Sequence, residues 1–195
     1  METLEAWDRA IVLAVNGWHK PWLDEIMWFI SGKLTWFPIW FLFIYYAYKI
    51  LSKKHFWLFF CCALVSIGIA DVTAKILFKD LIMRYRPSHN LTLMNQLHFY
   101  QEYPGTFYRG GKYGFISNHA SNFFAIVSWV VVLFWKAKKW FVYLMLFAAI
   151  LVAFSRLYLG VHYLSDLIGG ALWGMLISFL IYQFVYLPLL NKQNS

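Results

Sequence analysis

Acidic residues are scarce in this chain: nine Asp and Glu stand against 17 Lys and Arg. No carboxylate cluster is spaced to hold a magnesium ion, which needs a near-octahedral shell of oxygen ligands. Cysteine is scarcer still. The two that occur, Cys61 and Cys62, are neighbours inside an apolar run. Neighbouring cysteines do not easily bridge each other, no metal spacing accompanies them, and both read as buried packing. The first residues, Met1 to Asp8, lack a basic stretch leading into an apolar core, so no cleaved signal peptide and no lipidation box is expected. Low-complexity segments and internal repeats are absent as well. Charge of either sign is sparse, at 13% of residues against 62% hydrophobic, with a mean hydropathy of +0.56. Such a chain is an integral membrane protein. Its 195 residues fit a single domain, 1–195.

What charge there is carries a net +8. The basic residues are scattered among tryptophans and membrane-length runs, so nucleic acid is not the expected partner. An anionic, phosphorylated membrane ligand is. No obligatory protein partner is evident.

The apolar runs give an all-α class: a membrane helical bundle of about five to six transmembrane helices, preceded by an N-terminal amphipathic helix. In residues 3–16, Leu4, Trp7, Ile11, Leu13 and Ala14 fall broadly on one side, with Glu5, Asp8 and Arg9 elsewhere. Residues 22–31 form a second short piece. Neither reaches the roughly 20 apolar residues that a span requires, so 3–32 reads as an interfacial or re-entrant helix pair, with a strained full span as the alternative. The transmembrane core, 35–189, contains runs at Thr35–Ile50, Phe56–Phe78, Ala120–Trp135, Trp140–Leu159 and Tyr163–Leu189. A polar loop over 88–117 interrupts it. Counting crossings puts that loop on the same side as Arg156 and His162. Lys53, Lys54, Lys136, Lys138, Lys139 and Lys192 lie opposite, which by the positive-inside rule sets the loop outside the cytoplasm. The expected location is the cell (inner) membrane, with the loop side extracytoplasmic.

Three stretches carry chemistry. The first ends the second run: Lys79 and Arg86 are seven residues apart and share a face if the helix continues to Pro87. A lysine point charge and an arginine fork suit a phosphate, although basic residues at helix ends more often snorkel to headgroups. Deeper in that helix, Asp71 and Lys75 read as an intramembrane ion pair. The second stretch is Ser117-Asn118-His119, where Ser117 or Asn118 caps a helix and His119 sits in its first turn, beside free backbone N–H groups that favour an anion. The third is Ser155 to Asp166, in which Arg156 precedes a turn at Gly160. His162 and Asp166, four residues apart, can touch on one helical face. A carboxylate on one ring nitrogen leaves the other as base or nucleophile.

In chain order these stretches are Lys79-x6-Arg86-Pro87, Ser117-Asn118-His119, and Ser155-Arg156-x5-His162-x3-Asp166. The set resembles the type-2 phosphatidic-acid phosphatase family, whose three-part signature is shared with vanadium-dependent haloperoxidases. The middle motif departs from the usual Pro-Ser-Gly-His: here it reads Ile116-Ser117-Asn118-His119. The resemblance implies a membrane lipid phosphatase. His162 attacks phosphorus and becomes a phosphohistidine, Asp166 orients it, and His119 protonates the leaving oxygen and then activates water. Lys79, Arg86 and Arg156 neutralise the phosphoryl oxygens, helped by Ser117 and the Asn118 amide. Arg84 is a candidate extra contact, and residues 88–114, with Arg109 and Lys112, are a candidate headgroup cap or a mere spacer. No cofactor and no metal are implied, so hydrolysis is expected to be metal-independent. Undecaprenyl diphosphate is the first expected substrate, with phosphatidate, phosphatidylglycerophosphate and lipid A open. Phosphotransfer to an acceptor lipid is the alternative reaction.

Overall fold

The computed structural model describes residues 2–32 and 34–194. Seven helices run through them: α1 (Glu2–Asn16), α2 (Pro21–Ser31), α3 (Phe37–Ile50), α4 (Lys53–Ile82), α5 (Asn118–Phe134), α6 (Lys139–Tyr158) and α7 (Leu164–Gln193). Their ends follow local chemistry. Pro21 opens α2, where its missing N–H costs nothing. Ser117 caps α5, its Oγ accepting from Ala120 N at 3.5 Å. Three helices are long and apolar enough to cross a bilayer: α4 with 30 residues, α6 with 20 and α7 with 30. A fourth span arises if α2 and the Leu34–Ile50 helix, bent at 71°, count as one. α5 is a shorter apolar helix, with 17 residues.

α5 and α7 form the closest pair, because α7 offers glycines where α5 offers small polar residues. A Cβ on Gly170 would stand 2.4 Å from the Ser117 carbonyl oxygen, and one on Gly174 only 2.0 Å from that of Ser121. In lipid, helices gain little by hiding apolar area from one another, so close backbone packing of this Gly-x-x-x-Gly kind holds the pair. It also sets the first turn of α5 against the start of α7, where Ser117 N donates to the Asp166 carbonyl at 2.9 Å. Away from that end, Phe59, Trp129, Phe134, Phe141 and Met145 fill an aromatic core. Trp129 Nε1 is satisfied there by Ser66 Oγ at 3.0 Å.

Several sequence expectations need correction. α1 turns Asp8, Val12 and Asn16 inward, while Leu4 and Trp7 are exposed; in a protein surrounded by lipid, polar side chains seek the interior. Cys62 is buried as expected, but Cys61 is exposed. Asp71 is not paired with Lys75. Its carboxylate accepts instead from Asn118 and Asn122, each at 2.8 Å. The loop after α4 contains a small antiparallel hairpin, β1 (Gln101–Tyr103) with β2 (Thr106–Phe107), in an otherwise helical fold. This loop is more than a spacer: Leu93, Leu97 and Phe99 are buried with Val12, Leu157, Tyr163 and Leu167.

Candidate active site

The helix carrying Lys79 does not reach Arg86. Met83 adopts a left-handed conformation, φ 51°, and ends α4. Arg86 follows in extended backbone, and the chain folds back so that Arg86 N donates to the Lys112 carbonyl at 3.1 Å and Gly114 N to that of Arg84 at 2.9 Å. This pairing, not helical periodicity, brings the Arg86 guanidinium inward. Its Nε and Nη1 donate to the carbonyls of Tyr113 and Val161 at 3.1 and 3.2 Å.

His162 likewise lies ahead of its expected helix, with Tyr163 as the N-cap of α7. The contact to Asp166 survives through a capping box. Asp166 Oδ2 accepts from Tyr163 N at 3.0 Å and lies 3.2 Å from His162 Nδ1. A carboxylate only accepts, so Nδ1 carries the proton and Nε2 holds the lone pair. Both side chains are buried, His162 at 1% exposure and Asp166 at 0%. Burial, and then the charges of Arg86, Arg156, Lys79 and His119, hold the imidazole well below its usual 6.5. Those four groups therefore gather around His162, as the three motifs require. Burial and then the neighbouring Arg156 lower Arg86 to about 10, with partial compensation from Tyr108 and Asp166, so it stays charged at neutral pH.

Arg156 is 2% exposed. Nη1 donates to Ser31 Oγ and Nη2 to the Tyr108 hydroxyl, the latter at 2.6 Å. Its Nε is buried with no hydrogen-bond partner among the described residues. A buried guanidinium N–H of this kind costs free energy until an anion accepts from it. Ser117 Oγ accepts at the helix cap and its N–H donates to the Asp166 carbonyl, with the residue fully buried. Asn118 bonds through its side chain, accepting from Lys79 Nζ and donating to Asp71.

Arg84, a candidate extra phosphate contact by sequence, is committed elsewhere: Nη1 donates to Ser165 Oγ at 2.7 Å and to Asp166 Oδ1 at 3.1 Å, and Nη2 to Asp8 at 2.8 Å. Asp8, Ser31 and Tyr108 come from stretches without a motif, and no local signal marks them. Arg109 and Lys112 face aromatic rings: Arg109 lies 5.1 Å from the Phe99 centroid, and Lys112 5.4 Å from those of Tyr85 and Tyr113.

Three cavities meet at this cluster. The first, about 750 Å³, is lined by His119, Arg156, Tyr108, Trp28, Phe29 and Glu25. The second, about 560 Å³, runs from His119 between Asp71, Asn118 and Asn122 on one side and Trp40, Ile67, Phe123 and Ile126 on the other, with Gly68 in its wall. The third, about 580 Å³, has four cations, Lys75, Lys79, Arg86 and Lys112, against two carboxylates, Asp71 and Asp80, in its wall. Among the described residues, no group of three or more His, Cys, Asp and Glu side chains is placed to hold a metal ion.

The helical membrane bundle thus gathers two histidines, a buried aspartate and three cations at one end. The PAP2 superfamily pattern matches residues 59–188, and the chain belongs to that family. It is 30% identical over 96% of its length to a lipid A 4'-phosphatase of Porphyromonas gingivalis, covering 76% of that protein. It is 32% identical over 93% of its length to a lipid A 4'-phosphatase of Bacteroides thetaiotaomicron, covering 78% of it. Among solved structures it resembles the PAP2-type phosphatidylglycerolphosphate phosphatase of Bacillus subtilis, with a TM-score of 0.66 and 26% identity over 94% of this chain and 87% of that one.

Proposed function

We propose that this membrane phosphatase removes a phosphate monoester from a lipid of the lipid A class through a phosphohistidine on His162. The observation that carries the reading is the His162–Asp166 pair, 3.2 Å apart, ringed by three cations. Arg156 keeps a buried N–H without a partner among the described residues.

In the proposed reaction, Nε2 of His162 attacks phosphorus as the bond to the lipid oxygen breaks, and His119 gives that oxygen a proton. Asp166 stabilises the positive ring. His119 then takes a proton from water, whose oxygen attacks phosphorus and breaks the P–N bond. Inorganic phosphate leaves and His162 is restored. Lys79, Arg86 and Arg156 hold the equatorial oxygens, where charge spreads in the transition state. Burial of the imidazole favours its neutral, nucleophilic form.

The acid's position dictates where the lipid lies. His119 lines the first and second cavities, so the leaving alcohol occupies that side. Trp28, Phe29 and Tyr108 give the first cavity aromatic walls, suited to the C–H faces of a sugar. The apolar wall of the second, Trp40, Ile67, Phe123 and Ile126, suits a chain, and the third, where Lys79 and Arg86 stand, faces the phosphoryl group. A sugar phosphate with acyl chains is favoured over undecaprenyl diphosphate by the two lipid A 4'-phosphatases that align with nearly the whole chain. The basic ends at Lys53, Lys54, Lys138 and Lys139 support an active face outside the cytoplasm.

The test is phosphate release from solubilised lipid A, phosphatidate, phosphatidylglycerophosphate and undecaprenyl diphosphate, with wild type beside His162→Ala. The expected result is release from lipid A by wild type alone. Full activity in the variant sinks the mechanism. Label appearing in an acceptor lipid instead of free phosphate makes the protein a phosphotransferase.

A further inference from the structure

We propose that Asp71, midway along α4 and outside all three motifs, is a positioning residue that sets Lys79 through Asn118. The proposal rests on the reading of Lys79 as a phosphoryl contact. Asn118 stands where the family pattern has glycine, and its side chain bridges two opposite charges. Lys79 Nζ donates to Asn118 Oδ1. Asn118 Nδ2 donates to Asp71 Oδ1 at 2.8 Å and to the Asp71 carbonyl at 3.1 Å. An ammonium only donates and a carboxylate only accepts, so the amide has one orientation here: oxygen to Lys79, nitrogen to Asp71. Asn122, one turn further along α5, donates to the same Oδ1 at 2.8 Å and fixes the carboxylate.

The backbone between the two α4 residues explains why such a link is useful. Ala74–Lys79 form a π-helical turn, which rotates Lys79 away from the face that regular α-helical spacing gives it. A lysine head on four flexible carbons does not stay put by itself. Asn118 holds it, and Asp71 holds Asn118. With glycine at 118 or no acceptor at 71, the ammonium must be ordered anew at each turnover. The pre-set geometry of a charge facing the transition state is then lost.

The experiment measures kcat/KM and thermal unfolding for Asp71→Ala and Asp71→Asn, and for Asp71→Ala in a Lys79→Ala background. Asp71→Ala is expected to lower kcat/KM by about tenfold to hundredfold, the scale of one charge-assisted hydrogen bond. Asp71→Asn, whose oxygen still accepts, recovers most of the loss. In the Lys79→Ala background, Asp71→Ala costs less than about threefold, because its effect passes through Lys79. Equal losses from Asp71→Ala in both backgrounds overturn the proposal and leave a structural clamp between α4 and α5. Should Asp71→Ala not fold, Asn118→Gly cuts the link at its other end and must show the same dependence on Lys79. A fully active Lys79→Ala overturns the underlying reading of Lys79. A slow Lys79→Ala beside a fully active Asp71→Ala overturns this inference alone.

Discussion

Arg84 donates to Asp166 Oδ1 at 3.1 Å, while the other carboxylate oxygen faces His162. The same guanidinium reaches Asp8 on α1 at 2.8 Å and lies 4.2 Å from the Tyr163 ring centroid. Asp8 in turn accepts from Ser165 N at 3.0 Å. The first helix of the chain is thus tied to the residue that orients the proposed nucleophile.

Breaking that tie has a definite expected outcome. Asp8→Ala leaves Arg84 half-buried beside one carboxylate where it had two, and removes the acceptor for Ser165 N. Loss of one partner from a buried ion pair costs about 3 kcal/mol, so the unfolding temperature in detergent should fall. Asp166 loses its fixed rotamer support, and kcat should fall about tenfold with little change in KM, as for an interaction realised in the transition state. A rise in KM with kcat unchanged would mean that Arg84 touches the substrate after all.

The site was legible in the sequence where chemistry is tied to short spacing, and illegible where distant segments supply it. His119, His162, Asp166 and the three cations, which the structure brings together in the candidate site, stand out in the sequence because each motif keeps its partners close in the chain. The geometric reasons offered for them were only half right. Lys79 and Arg86 do not share a helical face, since Met83 breaks the helix, and His162 meets Asp166 through a cap ahead of α7. Asp8, 157 residues from Ser165, left no trace in local pattern. The bundle itself was visible in the apolar runs. The inward face of α1 was not, because the groups that draw Asp8 and Asn16 inward, namely Arg84, Ser165 and the carbonyls of His98 and Tyr158, lie far off in the chain.

The pH dependence follows from the lowered pKa of His162. Burial first, then the surrounding cations, keep the ring neutral well below 6.5. In the unfolded chain the same histidine titrates at its ordinary value, so just below 6.5 the unfolded state binds more protons than the folded one. Stability contributed by this group is therefore present above that pH and is lost as the pH drops towards the folded value. For catalysis, the acid limb of kcat/KM belonging to the nucleophile should lie well below the usual histidine range. Lys79→Met removes one repelling charge and should move that limb to higher pH. A limb at the ordinary histidine value, unmoved in the variant, would remove His162 from the role of nucleophile.

Gly68 offers a separate test of where the lipid chain lies. It sits on α4 in the wall of the second cavity, beside Ile67, Trp40 and Phe123. A Cβ built there meets no heavy atom within 4 Å. The first carbon of a leucine at 68 therefore meets open space, and leucine favours the helix by up to about 1 kcal/mol over glycine. The new side chain enters the groove and displaces about two methylenes of a bound chain, at roughly 0.8 kcal/mol each. For a long-chain substrate kcat/KM should therefore fall about tenfold, because 1.4 kcal/mol is one decade. A short-chain analogue of the same headgroup does not reach Gly68, and its kcat/KM should change by less than about twofold. Equal losses on both substrates would mean that the substitution disturbs the histidines, and no loss on either would mean that the chain lies elsewhere. A loss confined to the long chain ties the apolar wall of the second cavity to His119, and so fixes the side from which the leaving oxygen receives its proton.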